Sequence, residues 1–219
     1  MARKAKVLVV EDYPIVRRGL VSLIAGQEDL TLCGEADSAE HALETIGESK
    51  PDVVIVEIPV KGANAIQLIK DIKTRCPESH VLVLSRHDES LYAERTLRAG
   101  AEGYVMKQEA TETLLAAIRQ VLRGDIWVSE DVAKRMLQKF VDRRSPGLVS
   151  PVDALSDREL AVFEFIGRGL GTRQIAAKLD LSVKTVETYR AHIKRKLGLK
   201  NATELVQHAV HWVQSEDAG

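Results

Sequence analysis

Cysteine is almost missing from this chain. Only Cys33 and Cys76 occur among 219 residues, well apart in sequence. Neither a disulfide framework nor a cysteine-ligated zinc site is expected, and a reduced, cytoplasmic setting is. Long apolar runs are missing too. Nothing approaches the about 18 apolar residues that cross a bilayer. Val7 to Val10, behind the basic start Met1-Ala-Arg-Lys-Ala-Lys6, is too short for the core of a signal peptide, so no membrane partner is expected. A strong net charge is absent: 31 Lys and Arg against 32 Asp and Glu leave a formal charge of −1. Any attraction to nucleic acid must therefore be local. No G-x-S-x-G elbow, phosphate-binding P-loop or dinucleotide glycine motif is present, which argues for a protein that is not an enzyme. Internal repeats and low-complexity tracts are lacking as well.

What is present is an ordinary globular balance, 45% hydrophobic and 29% charged, over a length that suits one or two domains. The first part alternates short apolar runs with amphipathic stretches. Strands are predicted at 6–10, 30–34, 53–56, 81–84 and 103–106. A helix starts at Pro14 with Ile15, Leu20, Leu23 and Ile24 inward, and a second, capped by Ser38, runs to about Glu48. Others are predicted at 65–75 (Ile66, Ile69 and Ile72 inward), 90–98 and 111–123. Five β-α units predict a doubly wound, five-stranded parallel sheet in the flavodoxin-like order 2-1-3-4-5. Such sheets bind ligands beyond the carboxyl ends of their strands. Glu11, Asp12, Glu57, Ser85 and Lys107 each follow a predicted strand, so acids, a hydroxyl and an amine are expected to converge. The acidic pocket suits a hard cation such as Mg2+.

A helix is predicted over 129–141, with Val132, Met136, Leu137 and Phe140 on its stripe. Positions 143–151 then lose periodicity and collect Pro146, Gly147, Ser150 and Pro151, a linker signal. The expected organisation is one domain over 1–125, a linker helix and flexible linker over 126–152, and a second domain over 153–219.

Four helices are predicted in the last part. Ser156 and Glu159 stand at capping-box spacing before Leu160, Val162, Phe163 and Ile166, and Gly169 is the stop. A short helix over 172–179 turns Ile175, Ala176 and Leu179 inward. Asp180-Leu181-Ser182 is a turn, with Ser182 as N-cap toward the amide near Thr185. Asn201 caps a last helix carrying Leu205, Val206, Ala209, Val210 and Trp212. The third helix places Val186, Tyr189, Ile193 and Leu197 on one face and Lys184, Glu187, Thr188, Ala191 and Arg195 on another. One packed face and one small, polar, cationic face suit the major groove of DNA in a helix-turn-helix. Glu187 can accept from a cytosine amine, Arg190 or Lys184 can reach guanine or phosphate, and Thr188 and Ala191 permit close approach. Arg173, Thr185, Lys194, Arg195, Lys196 and Lys200 suit phosphates. A homodimer on two half-sites of double-stranded DNA, about one helical turn apart, is expected.

Leu155-Ser-Asp-Arg-Glu159, Gly169-Leu170, Gln174-Ile-Ala176, Leu179, Ser182-Val-Lys-Thr-Val186 and Lys196-Leu-Gly198 closely resemble the LuxR-type DNA-binding domain, over roughly 155–210. Positions 4–124, through Glu11-Asp12, Ser85, Tyr104 and Lys107, resemble the receiver domain of two-component response regulators. The whole chain thus resembles a NarL/FixJ-type response regulator. The resemblance implies phosphorylation of an aspartate at the end of strand three by a sensor kinase. It implies that Ser85 and Tyr104 then move and that the face of helix four, strand five and helix five changes its partners. Tyr104 is expected at the surface that meets those partners.

The chain departs from this pattern at the acceptor position, which is Glu57. The following Ile58-Pro-Val-Lys-Gly62 lacks the usual Met-Pro-Gly-like turn, and Ala65 stands where glycine is common. The extra methylene displaces the carboxylate by about 1.5 Å, and near-attack geometry is sensitive on that scale. Ordinary phosphotransfer is therefore expected to be weak or absent, which weakens the case for a sensor kinase as partner. Glu57 is expected nearer Ser85 and Lys107, holding a partly activated state. Two alternatives remain at this point. Glu57 disables the switch and leaves a dimerisation module, or the chain is an interaction adaptor with no sequence-specific role on DNA.

Overall fold

The computed structural model describes residues 3–58, 65–141, 151–179 and 181–217. Positions 59–62 of the expected atypical turn, 143–150 of the expected linker and Asp180 of the helix-turn-helix turn lie outside the described residues, as does the side chain of Phe140. The chain divides into two compact units, Met1–Phe140 and Val141–Gly219.

In the first unit, β1 (Ala5–Val10), β2 (Leu30–Ala36), β3 (Val53–Ile58), β4 (His80–Ser85) and β5 (Gly103–Met106) form one parallel sheet in the order β2-β1-β3-β4-β5. The predicted topology is the observed one. Helices cover both faces of such a sheet, so its inner strands read as unbroken apolar runs. Val7 to Val10 and Val53 to Val56 are at most 1% exposed. Four strands are longer than predicted, and at β3 and β4 the difference matters: Glu57 and Ser85 are strand residues, not loop residues.

Around the sheet run α1 (Pro14–Ala25), α2 (Ala39–Ser49), α3 (Ala65–Arg75), α4 (Glu89–Ala99) and α5 (Thr111–Val121). Pro14 opens α1 and Ser38 caps α2 by accepting from His41 N, both as predicted. Asp88 starts α4 slightly earlier than the 90–98 reading. Ile15 is not part of the α1 stripe: it is 79% exposed, and Val16 packs on the core with Leu20, Leu23 and Ile24. Val16 lies four residues before Leu20 and shares its face, whereas Ile15 lies five before it and does not.

The segment after α5 returns to the sheet. Trp127 makes a parallel bridge to Gly103, its amide donates to Glu102 O and its carbonyl accepts from Tyr104 N, each at 2.9 Å. Ser129 then caps α6 (Glu130–Val141) through Val132 N, and its hydroxyl bonds the Glu89 carboxylate. The stretch expected to begin a linker is thus paired with the edge strand of the first unit. Val132 is buried in α6, but Leu137 is 66% exposed and off the stripe.

The second unit holds a 3-10 turn (Pro151–Ala154) and four helices: α7 (Asp157–Gly167), α8 (Thr172–Leu179), α9 (Val183–Leu197) and α10 (Ala202–Asp217). The capping box at Ser156 and Glu159 forms in both directions. Ser182 accepts from Thr185 N, and Asn201 from Glu204 N. Leu160, Phe163, Ile166, Ile175, Val186, Ile193, Leu205 and Ala209 make the core. At Gly167 the helices nearly touch, because a Cβ there would stand 2.3 Å from Ala209 O on α10. Gly198 ends α9 in the left-handed region at φ +68°. Val206 is exposed instead of buried, and Val213 takes the inward place on α10. Among the described residues no helix is long and apolar enough to cross a membrane.

Candidate functional site

The carboxyl end of the sheet gathers three acids and one amine. Glu11 follows β1 and is 1% exposed. Its Oε1 accepts from Tyr13 N at 3.0 Å, and its Oε2 accepts from Lys107 Nζ at 2.7 Å. Glu57, on β3 between β1 and β4, is 2% exposed and takes a very short bond from the same Nζ. One ammonium is therefore shared by two buried carboxylates. Asp12 completes the cluster, with carboxylate oxygens of all three acids within 4.8 Å of one another. Asp12 Oδ1 and Glu57 Oε2 are buried and have no hydrogen-bond partner among the described residues. Burial first, and then the neighbouring Glu11 carboxylate, push the Glu57 carboxyl up to about 8, while Lys107 pulls it the other way.

Ser85 belongs to a different set of bonds. Register places Glu57 opposite Leu84 and Ile58 opposite Ser85. The Ser85 hydroxyl donates to Ile58 O at 3.1 Å and accepts from His87 N at 3.0 Å. The expected approach of Glu57 to Lys107 is seen; a Glu57–Ser85 bond is not, because that hydroxyl is turned along the backbone. Lys107 and Ser85 meet through the main chain, Lys107 N donating to Ser85 O at 2.7 Å.

Tyr104 is 1% exposed, which corrects its expected place at a contact surface. Its hydroxyl donates to His87 O at 2.8 Å, so its ring is turned inward beneath the loop after β4. His87 is itself buried, with its ring against Tyr92 at 5.0 Å. Sequence reasoning missed three participants. His87 acts through its backbone, which no side-chain pattern reveals. Trp127 lies in a short apolar run, Ile126-Trp-Val128, that could have been read as an edge strand. Arg86, past β4, lies over the exposed Tyr13 ring past β1 at 5.3 Å, a contact between residues distant in sequence.

On α9 the two predicted faces separate. Val186 and Ile193 are buried and Tyr189 and Leu197 half-buried, whereas Lys184, Glu187, Thr188, Ala191 and Arg195 are all exposed. Arg173 on α8 and Lys200 beyond α9 are exposed, while Thr185, Arg190 and Lys194 are half-buried at its margins. The Thr185 hydroxyl pairs with Ser182 Oγ at 2.8 Å, and Thr188 Oγ1 donates back to Lys184 O. Lys196 is the exception among the cations. Its Nζ lies 2.6 Å from the buried Glu159 carboxylate and is not free on the exposed face.

Comparison with known proteins matches residues 7–119 to the response regulator receiver domain and residues 153–209 to the luxR family of bacterial regulatory proteins. The oxygen regulatory protein NreC of Staphylococcus haemolyticus is 34% identical over 209 residues, covering 94% of this chain and 96% of that one. RcsB of Salmonella typhimurium, solved for its conformational dynamism in DNA interaction, is 24% identical with a TM-score of 0.73, covering 96% and 98% of the two chains. RcsB of Salmonella enterica serovar Typhimurium bound to promoter rprA with the phosphomimetic BeF3− is 24% identical with a TM-score of 0.69, covering 95% and 99%.

Proposed function

Because this chain belongs to the response regulators that join a receiver domain to a LuxR-type domain, we propose that it regulates transcription by binding double-stranded DNA, under a receiver that works without ordinary phosphorylation. The observation that carries the second half is the hold of Glu57 and Glu11 on Lys107. Glu57 stands at the acceptor position and already gives that ammonium an oxygen acceptor with no phosphoryl group present. The inward Tyr104 accords with a receiver resting in a partly activated arrangement.

The acids also fit Mg2+. Asp12 Oδ1 and Glu57 Oε2 are buried oxygens without partners among the described residues, the kind of donor a hard cation takes. When bound, the ion would favour the ionised form of Glu57 and offset the negative charge of the acids that Lys107 alone does not balance. Asp12, Glu57 and Glu11 would hold it, with Glu11 and Glu57 divided between it and Lys107.

On DNA, α9 lies in the major groove with Glu187, Thr188 and Ala191 toward base edges and Lys184 or Arg190 toward guanine or phosphate. Arg173, Thr185, Lys194, Arg195 and Lys200 hold the backbone. The protein acts as a homodimer in the cytoplasm. Promoter DNA is the partner of the solved RcsB complex, and the exposed polar face of α9 supports the same class of partner here.

Incubation with acetyl phosphate and Mg2+, followed by intact-mass measurement, tests the receiver. The parent chain should take up no stable phosphate, while Glu57→Asp should. Stable, stoichiometric phosphate on Glu57 refutes the reading. Duplex affinity of the parent without any phosphodonor should exceed that of Glu57→Gln; equal affinities point to a disabled switch. A full chain that retains no duplex at low ionic strength leaves the adaptor reading in its place.

A further inference from the structure

A capping-box glutamate has only to reach the amide at the start of its own helix, and that can be done from solvent. Glu159 does more. It is 3% exposed. Its Oε2 accepts from Ser156 N at 2.7 Å, from Ser156 Oγ at 2.8 Å and from Lys196 Nζ at 2.6 Å. Its Oε1 lies 3.6 Å from His192 Nδ1. His192 and Lys196 are four residues apart on α9, so one carboxylate at the start of α7 meets two successive turns of α9. Burial opposes its charge, but the bonds from Lys196 and Ser156 outweigh burial and hold the carboxyl below its ordinary range.

Val186 and Ile193, the buried residues of α9, make apolar contacts, and apolar contacts carry little direction: a helix can roll or slide on them by small amounts. A short, charge-assisted bond between a buried carboxylate and an ammonium is directional. Lys194 and Arg195, the neighbouring cations, have no ion-pair partner among the described residues, so Lys196 is set apart in the last turn of α9.

We infer that Lys196 is a positioning residue for sequence reading and not a phosphate contact: with Glu159 it sets the rotation of α9, and through it the places of Glu187, Thr188 and Ala191 against the bases. This rests on the reading of α9 as the DNA-facing helix. The pair contributes little to binding that ignores sequence, because a rotated α9 still presents Lys194 and Arg195 to phosphates. It contributes to discrimination, because hydrogen bonds to base edges tolerate little displacement.

The experiment uses the full chain, a duplex selected by the parent from a random pool, a random-sequence duplex, and a series of salt concentrations. Lys196→Met keeps the aliphatic stem and removes the charge; Lys196→Arg keeps the charge. Glu159→Gln removes the partner, and Lys194→Ala supplies the behaviour of a phosphate contact. Lys196→Met should lose on the order of tenfold on the selected duplex, change little on the random one, and leave the salt slope as it was. Lys196→Arg should recover most of the loss, and Glu159→Gln with Lys196→Met should be no worse than either alone. Equal losses on both duplexes with a shallower slope, as for Lys194→Ala, overturn the inference, and so does a Lys196→Met chain indistinguishable from the parent. If Lys196→Met is unfolded by its thermal melt, the selected-to-random ratio of Glu159→Gln decides: a ratio lowered at unchanged salt slope supports the inference, and an unchanged ratio overturns it. A parent that binds no duplex at all removes the DNA reading itself, and this inference with it.

Discussion

Tyr104 N donates to Trp127 O at 2.9 Å, while the hydroxyl of the same tyrosine donates to His87 O at 2.8 Å. One residue therefore joins the loop after β4 to the segment that leads into α6. Ser129, two residues beyond Trp127, adds a bond to Glu89 at the start of α4. Tyr104 and the start of α4 are thus both bonded to the segment that leads into α6, within the first unit.

Loosening Tyr104 should consequently be felt at Trp127. The chain has two tryptophans, so Trp212→Phe leaves Trp127 as the sole reporter. In that background Tyr104→Phe should raise the quenching of Trp127 by acrylamide and speed amide exchange at 104 and 127. Tyr13→Phe, a change at a half-exposed ring, should do neither. Equal quenching in both variants would contradict the coupling.

Glu57 makes the stability of the first unit depend on pH. Its folded-state carboxyl, near 8, lies above the ordinary 4.5, so the folded state holds the proton more tightly. The stabilisation is complete below about 4.5 and is lost as pH rises through 8. Glu57→Gln should flatten that decline in thermal melts between pH 5 and pH 9, with the largest gain over the parent at the alkaline end. A carbon-13 titration of labelled glutamate carboxyls should place one resonance near 8; its absence would contradict the burial argument.

On DNA the exposed acid and the marginal cation should separate cleanly. Glu187→Ala should relax preference at one base pair by about 1–3 kcal/mol. Lys194→Ala should weaken binding on every sequence and lower the salt slope by about 1. Matching losses on specific and random duplexes for both variants would refute the assignment.

Gly167→Ala tests the crossing of α7 and α10. The added methyl meets backbone, Ala209 O at 2.3 Å, which cannot swing aside as a side-chain end can. A loss of about 1–3 kcal/mol in the stability of the second unit is expected. Gly124→Ala, where a Cβ meets nothing within 4 Å but φ is +85°, separates backbone strain from crowding. A Gly167→Ala unit that melts like the parent would show that the helices can part at little cost.

Most of the fold could be read in advance because its signals are local. Apolar strands at regular intervals, Pro14 at a helix start, and Ser38, Ser156, Ser182 and Asn201 as caps each act within a few residues of sequence. Failures came at the borders of helix stripes. Ile15, Leu137 and Val206 are apolar residues next to a buried face, and periodicity marks the direction of a stripe better than its width. The site was legible in its members but less so in its bonds. Glu11, Asp12, Glu57 and Lys107 were expected together from strand order, and they meet.

Sequence alone determined the two-unit plan, the strand order and the polar face of α9, since each follows from the period of apolar residues and from short-range capping. Tertiary structure decided which charges pair. Lys107 goes to Glu11 and Glu57, 96 and 50 residues away, and Lys196 goes to Glu159, 37 residues away. It also turned Tyr104 inward and brought Trp127 to the edge of β5. The reason is physical: an ion pair or an edge bridge gains its energy from burial and from the exact approach of two chain segments, and neither exists until the sheet and the helix bundle have formed.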